Sequence, residues 1–157
     1  MKRNILFLIV ALAIALLFVS CVSSTVRVAE EANFANYRYI NIDDTANADG
    51  YDVRGLVSRE MSKSEENNQT HYDIIGYVSP RQSNQTITLS YKCDIVGNYV
   101  RINILLNDAS TGNLLASFEG SDPIMYSNMA EDVAQKAMAK RLGEIKNVLN
   151  ANFKVEK

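Results

Sequence analysis

The chain has 157 residues, 16 Lys+Arg against 18 Asp+Glu, a formal net charge of −2, two cysteines and no tryptophan. That length suits one domain with a real core rather than several. The slightly acidic balance, with no arginine cluster or basic stripe, excludes a nucleic-acid surface.

Met1-Lys2-Arg3 is a short positive start, residues 5–19 are unbroken apolar, and Ser20-Cys21 follows at once. Fifteen apolar residues fall short of the ~20 that a spanning helix needs, and they fit the hydrophobic region of an export signal. The order of positive, apolar, small residue and cysteine resembles the lipobox of bacterial lipoproteins, with Phe18 where that family usually carries Leu. The resemblance implies a cut between Ser20 and Cys21 and acylation of the Cys21 thiol. Stable anchoring takes more than one chain, which a diacylated or triacylated (palmitate-type) cysteine supplies. Val22 after the cysteine, rather than Asp, points by analogy to the outer membrane, facing the periplasm. Losing residues 1–20 takes Lys2 and Arg3 away, so 14 basic side chains face 18 acidic ones and the net charge becomes −4. With Cys21 occupied by lipid, Cys93 has no disulfide partner in the chain.

Residues 21–36 read as a weakly linker-like tether, residues 37–150 as a single domain and residues 151–157 as a tail. Within the domain, Tyr37-Arg38-Tyr39-Ile40-Asn41-Ile42 alternates and is rich in aromatic and β-branched residues, the pattern of a first strand. Residues 43–49 are polar and turn-like. Val53, Leu56, Val57 and Met61 then fall at helical spacing, with Asp49 or Asp52 placed to accept from the first free amides. A polar stretch follows, and residues 72–78 make a second strand ended by Ser79-Pro80. The third strand alternates most strictly: Ile87, Leu89, Tyr91, Cys93 and Ile95 on one face, Thr86, Thr88, Ser90, Lys92 and Asp94 on the other. Such alternation means one buried and one wet face, an antiparallel habit. Gly97-Asn98 turns the chain into a fourth strand carrying Val100, Ile102, Ile104 and Leu106, with Arg101 and Asn103 opposite them. Residues 108–112 form a hairpin loop with Gly112 where a positive φ is expected. Leu114, Ala116 and Phe118 carry a fifth strand. The last helix is expected from about Asn128 to Asn150, with Asn128 and Glu131 as a capping pair. Its apolar stripe is interrupted only by Arg141, whose stem is expected at the edge of the core.

The order β-α-β-β-β-β-α gives an α+β, two-layer fold: an antiparallel-rich sheet of about five strands with two helices packed on one face. The pattern resembles small bacterial lipoproteins related to the periplasmic domain of the curli secretion channel and to the lipoprotein activators of penicillin-binding proteins. The residues that carry the resemblance are Asn33-Phe34, Tyr37-Arg38-Tyr39-Ile40, the helix around Leu56 to Met61, Asp73-Ile74-Ile75-Gly76, and the hairpin around Asp108, Thr111 and Gly112. It covers about residues 33–150, and its motifs are structural punctuation. The channel's extra membrane-spanning hairpins have no counterpart here, so pore formation is not implied. Residues 22–36 could reach at most ~50 Å fully extended, short of the long tether that the activators use.

Chemistry-bearing residues are sparse. His71 is the sole histidine and has no second ligand of the kind that structural zinc requires, so it reads as a surface residue. Asp43, Asp44, Asp49 and Asp52 are spaced faintly like a calcium loop but lack its terminal glutamate, and they read as turn and cap residues. Cys93, on the apolar face, reads as a small buried hydrophobe. No nucleophile elbow, dinucleotide fingerprint or phosphate loop is present, and no cofactor or metal is implied. The expectation is therefore a non-catalytic, lipid-anchored envelope module whose partners are the membrane, through Cys21, and an envelope protein or a second copy of the chain. The alternatives are an envelope hydrolase and a small-ligand or metal binder. Tyr37, Tyr39, Lys92, Tyr99 and Arg101 are the candidate contact residues, on the wet face of the sheet.

Overall fold

The computed structural model describes residues 23–43, 45, 52–62 and 72–151. Ser20, Cys21, Asp44, Asp49, His71 and the tail beyond residue 151 lie outside the described residues. The elements in chain order are β1 (Ser23–Val28), β2 (Tyr39–Asp43), α1 (Arg54–Ser62), β3 (Asp73–Ile75), β4 (Thr86–Val96), β5 (Tyr99–Asp108), β6 (Leu114–Pro123) and α2 (Ala130–Ala151). The fold is α+β: one six-stranded sheet in the order β1-β6-β5-β4-β2-β3, with both helices on one side.

The expected five strands are six, because residues 23–28 of the expected tether pair antiparallel with β6, from Ser23 opposite Ser121 to Val28 opposite Ala116. The sheet is mixed. β1, β6, β5 and β4 pair antiparallel with one another in that order, whereas β2 lies parallel to both β4 and β3. Parallel pairing of β2 with β3 follows from the helix between them, since a helical crossover returns the chain in its original direction. β3 is only three residues long, shorter than the expected 72–78, and such brevity blunts an exposed sheet edge.

The period-two pattern fixes which side is dry. Ile87, Leu89, Tyr91 and Cys93 of β4, Val100, Ile102, Ile104 and Leu106 of β5, and Ala116 and Phe118 of β6 are all buried. They meet Val57 and Met61 of α1 and Ala134, Met138, Leu142, Ile145 and Leu149 of α2. Each large apolar side chain so buried contributes roughly 1.5–3 kcal/mol. β4 and β5 are joined by a two-residue turn whose first central residue, Gly97, has φ of 62°, the left-handed geometry that matches strand twist in a type II′ hairpin. Gly112, at φ of 73°, fills the same need in the β5–β6 loop.

Asp52 caps α1 as expected, its Oδ1 accepting from Arg54 N–H at 3.2 Å. Asp43 builds a local turn, accepting from the amide of Thr45 at 3.0 Å and its hydroxyl at 2.7 Å. The last helix begins at Ala130, later than expected, because a 3-10 turn over Ser127–Met129 takes up Asn128 first. Arg141 departs further from expectation: its side chain is wholly buried, not laid along the core edge. Its Nη1 donates to Glu144 Oε1 at 2.8 Å and to Ser24 Oγ at 3.1 Å, and its Nη2 to Asp122 Oδ2 at 3.4 Å. Ser24 in turn donates to Glu144 Oε2 at 3.2 Å. One guanidinium thereby ties together α2, β6 and β1. A buried cation needs such partners, because an unpaired one carries a desolvation penalty of several kcal/mol.

Candidate protein-contact face

The side of the sheet away from the helices carries the residues that alternate with the core set. Lys92 and Asp94 on β4 stand opposite Asn103 and Arg101 on β5, Glu119 of β6 stands opposite Asn103, and Thr25 of β1 opposite Glu119. Together they line a shallow depression of about 500 Å³ across four strands. Lys92 Nζ lies 3.1 Å from Asp94 Oδ2, with the Lys92 side chain exposed and that of Asp94 partly so. An exposed ion pair of this sort contributes only ~0–1 kcal/mol, so Lys92 and Arg101 are cheaply redirected to a partner's carboxylates.

Lys92 and Arg101 lie on the same side of the sheet, with Tyr99 half-exposed there at the end of β5. Tyr39 shares the side by alternation with buried Ile40, but it sits opposite Thr86. That is six residues from Lys92 along β4, or about 20 Å at the rise of a strand. Tyr37 does not belong to the face. It precedes β2, is 7% exposed, packs in the core, and its hydroxyl donates to Asp108 Oδ2 at 2.7 Å. A buried aromatic with a polar tip is satisfied by one hydrogen-bond partner, and here the hairpin loop supplies it.

That loop is a second polar cluster. Asp108 Oδ1 accepts from the amide of Ser110 at 2.7 Å, its hydroxyl at 2.6 Å and the amide of Thr111 at 2.9 Å. Burial opposes ionisation of Asp108, but the hydrogen bonds from Ser110, Tyr37 and the Thr111 amide outweigh it and hold the carboxyl at about 2. Burial, then the bond to Asp108 and its charge, push the Tyr37 phenol well above its ordinary value. Both residues border a depression of about 490 Å³ near Glu31 and Asn113. The turn role of Asp108 was readable from its spacing to Gly112. Its bond to Tyr37, 71 residues earlier, was not.

Cys93 is fully buried. Burial first, and then the nearby charge of Asp94, push its thiol up to about 11, so it is protonated and unreactive at neutral pH. Among the described residues, no group of three or more His, Cys, Asp or Glu side chains is arranged to hold a metal ion, and no helix is long and apolar enough to cross a membrane.

No family model and no curated protein matches the chain. Solved structures do. The PelC dodecamer from Paraburkholderia phytofirmans aligns over 79% of this chain and 98% of its own at 17% identity, with a TM-score of 0.51. A variant PelC dodecamer from the same species aligns over 76% and 98% at 17% identity and a TM-score of 0.45. A protein from Xanthomonas campestris aligns over 83% and 94% at 11% identity and a TM-score of 0.44. At these identities, the likeness to PelC from P. phytofirmans is one of fold: this chain has the same α+β arrangement.

Proposed function

We propose that the chain is a lipid-anchored, non-catalytic module of the bacterial cell envelope that assembles with a second copy of itself, or with another envelope protein, through the open face of its sheet. The observation that carries this reading is the mixed-charge surface at Lys92 and Arg101 on a sheet whose other face is packed under two helices. The PelC structure is a dodecamer, and although fold alone does not fix function, that makes self-association the first assembly to test. If copies of this chain closed into a ring, each subunit would need two different complementary surfaces. A face that pairs both signs of charge, beside β1 at the edge of the described sheet, offers them.

The run ending in Ser20-Cys21 supports anchoring through acyl chains on Cys21, and Val22 supports an outer-membrane location facing the periplasm. The likeness read in the sequence to the curli channel's periplasmic domain and to the activator lipoproteins belongs to the same proposal, as small envelope modules that work by contact. The test is charge reversal, Lys92→Glu with Arg101→Glu, in the full chain. At exposed positions such changes move stability by only about 0.5 kcal/mol, so the melting temperature is expected to hold while sedimentation shows loss of association or of partner capture. Unchanged association would remove this face as the assembly surface.

A further inference from the structure

Val96 and Tyr99 flank the Gly97-Asn98 turn and are exposed by 44% and 47%. The connection from β6 to α2 runs beside this turn: Ile124 N–H donates to the Asn98 carbonyl at 2.7 Å, and Tyr99 stands opposite Pro123. That connection carries Met125, 77% exposed, Tyr126, 67%, and Met129, 43%. Five large apolar or aromatic side chains therefore share one end of the sheet. Single exposed apolar residues are ordinary, but a contiguous group marks a surface made for something apolar.

The entry point of the chain indicates what covers it. β1 runs antiparallel to β6 with Ser23 opposite Ser121, so the chain enters the domain at the end where β6 delivers Pro123 and the Met125-Tyr126 connection. Cys21 is two residues before Ser23, and two residues reach no further than about 7 Å. β1 is held by its ladder to β6 and by the Ser24–Arg141–Glu144 cluster, so the anchor has no slack. We infer that the end bearing Val96, Tyr99, Met125, Tyr126 and Met129 is seated on the lipid surface beside the chain's own Cys21, an inference that rests on the acylation proposed above. The chemistry fits. Tyrosine, with an apolar body and a polar tip, is enriched at membrane–water interfaces, and methionine adapts to irregular apolar surroundings. The five side chains carry no charge, while Glu131 and Asp132 open α2 close by. Seating is therefore hydrophobic, persists at high salt and draws nothing from anionic lipid. The acyl chains hold the domain at the membrane, and this patch fixes its orientation.

The chain contains no tryptophan, so a Tyr126→Trp variant carries a single reporter. Leu114→Trp is the reference, half-exposed at the opposite end of β6, about 30 Å away at ~3.3 Å per residue. Each full-length variant is matured in a bacterial envelope, its acylation is checked by intact mass, and it is reconstituted into phosphatidylcholine vesicles with and without brominated acyl chains. A residue seated in the interface lies ~5–10 Å into the headgroup boundary. The Tyr126→Trp emission is then expected to shift to the blue and to be quenched by bromine, at low and high salt alike, while Leu114→Trp stays unquenched. Equal and weak quenching at both positions in acylated, vesicle-bound protein would overturn the membrane seat and leave the anchor standing. A blue shift without bromine quenching, as a second copy covering the patch would give, would also overturn it. Protein without an acyl group that fails to float with vesicles would instead remove the anchoring reading, and this inference with it.

Discussion

Gly120 faces the guanidinium of Arg141, and a methyl group built there would collide with the Nε, Nη2 and Cζ atoms. Gly120→Ala is therefore expected to cost about 1–3 kcal/mol as an overpacked site, read from the urea midpoint at unchanged slope. An unshifted midpoint would mean that the guanidinium does not lie against β6. Asp108 gives a pH signature. Its folded value of about 2 lies below the ordinary 3.8, so its contribution is complete above pH ~4 and is lost as the pH falls toward 2. The carboxylate is partly open to solvent, and with screening the loss amounts to about 1 kcal/mol. Tyr37→Phe removes one of its donors, so it should lower stability by about 1 kcal/mol at neutral pH and flatten the acid limb of a melting-temperature profile. A mutant with the wild-type acid limb would break the link between the two residues. Cys93 should resist thiol reagents until denaturant is added, and Cys93→Ala should cost about 1–3 kcal/mol; rapid labelling of native protein would place the thiol at the surface. Cys93 was legible from its alternation with Ile95 and Tyr91. The Arg141 cluster was not, because the stripe that betrayed its helix face gave no sign that Ser24 and Asp122 would arrive to meet it.

At the scale of elements, the strands with strict alternation were the readable ones. β4 and β5 declare both faces and their turn, because buried and more exposed side chains alternate from Ile87 to Asp94 and from Tyr99 to Leu106; the expected pattern fails only at the ends of β4, where Thr86 is buried and Ile95 is exposed. β1 hid because Ser23-Ser24-Thr25-Val26-Arg27-Val28 is an edge strand with half-exposed valines, too weakly apolar to stand out from a linker. β3 was overestimated because Gly76 and Tyr77 continue the β-like composition although only three residues pair. The parallel placement of β2 beside β4 depends on a crossover that no local pattern encodes. β1 can be tested directly. Ala29 N–H donates to the Leu115 carbonyl, so by antiparallel alternation Arg27 N–H also points at β6. Arg27→Pro deletes that donor and should expose residues 23–28 to protease while the β4–β5–β6 core stays protected. Unchanged protection would show that the segment is held otherwise.

At the scale of the molecule, incorporation of β1 into the sheet changes what an N-terminal anchor would do. The expected ~50 Å of free tether shrinks to two residues, so the domain would stand with that end of its sheet directly at the membrane rather than reach across the envelope. Its open sheet face would then stand available to neighbours held at the same surface. Two-dimensional confinement of this kind raises effective concentration and favours weak contacts such as those of Lys92 and Arg101. The face was legible in the sequence as a row of polar alternates; the exclusion of Tyr37 and the distance of Tyr39 from Lys92 were not, since both depend on where β2 is inserted. The most direct measurement is native mass spectrometry of the full chain, matured in a bacterial envelope and released from detergent micelles, which reads the modification of Cys21 and the assembly state together. The account predicts a chain beginning at an acylated Cys21 and present as a multimer, which falls to monomer with Lys92→Glu and Arg101→Glu. An unmodified chain, or an acylated one that is monomeric and captures no partner, would contradict it.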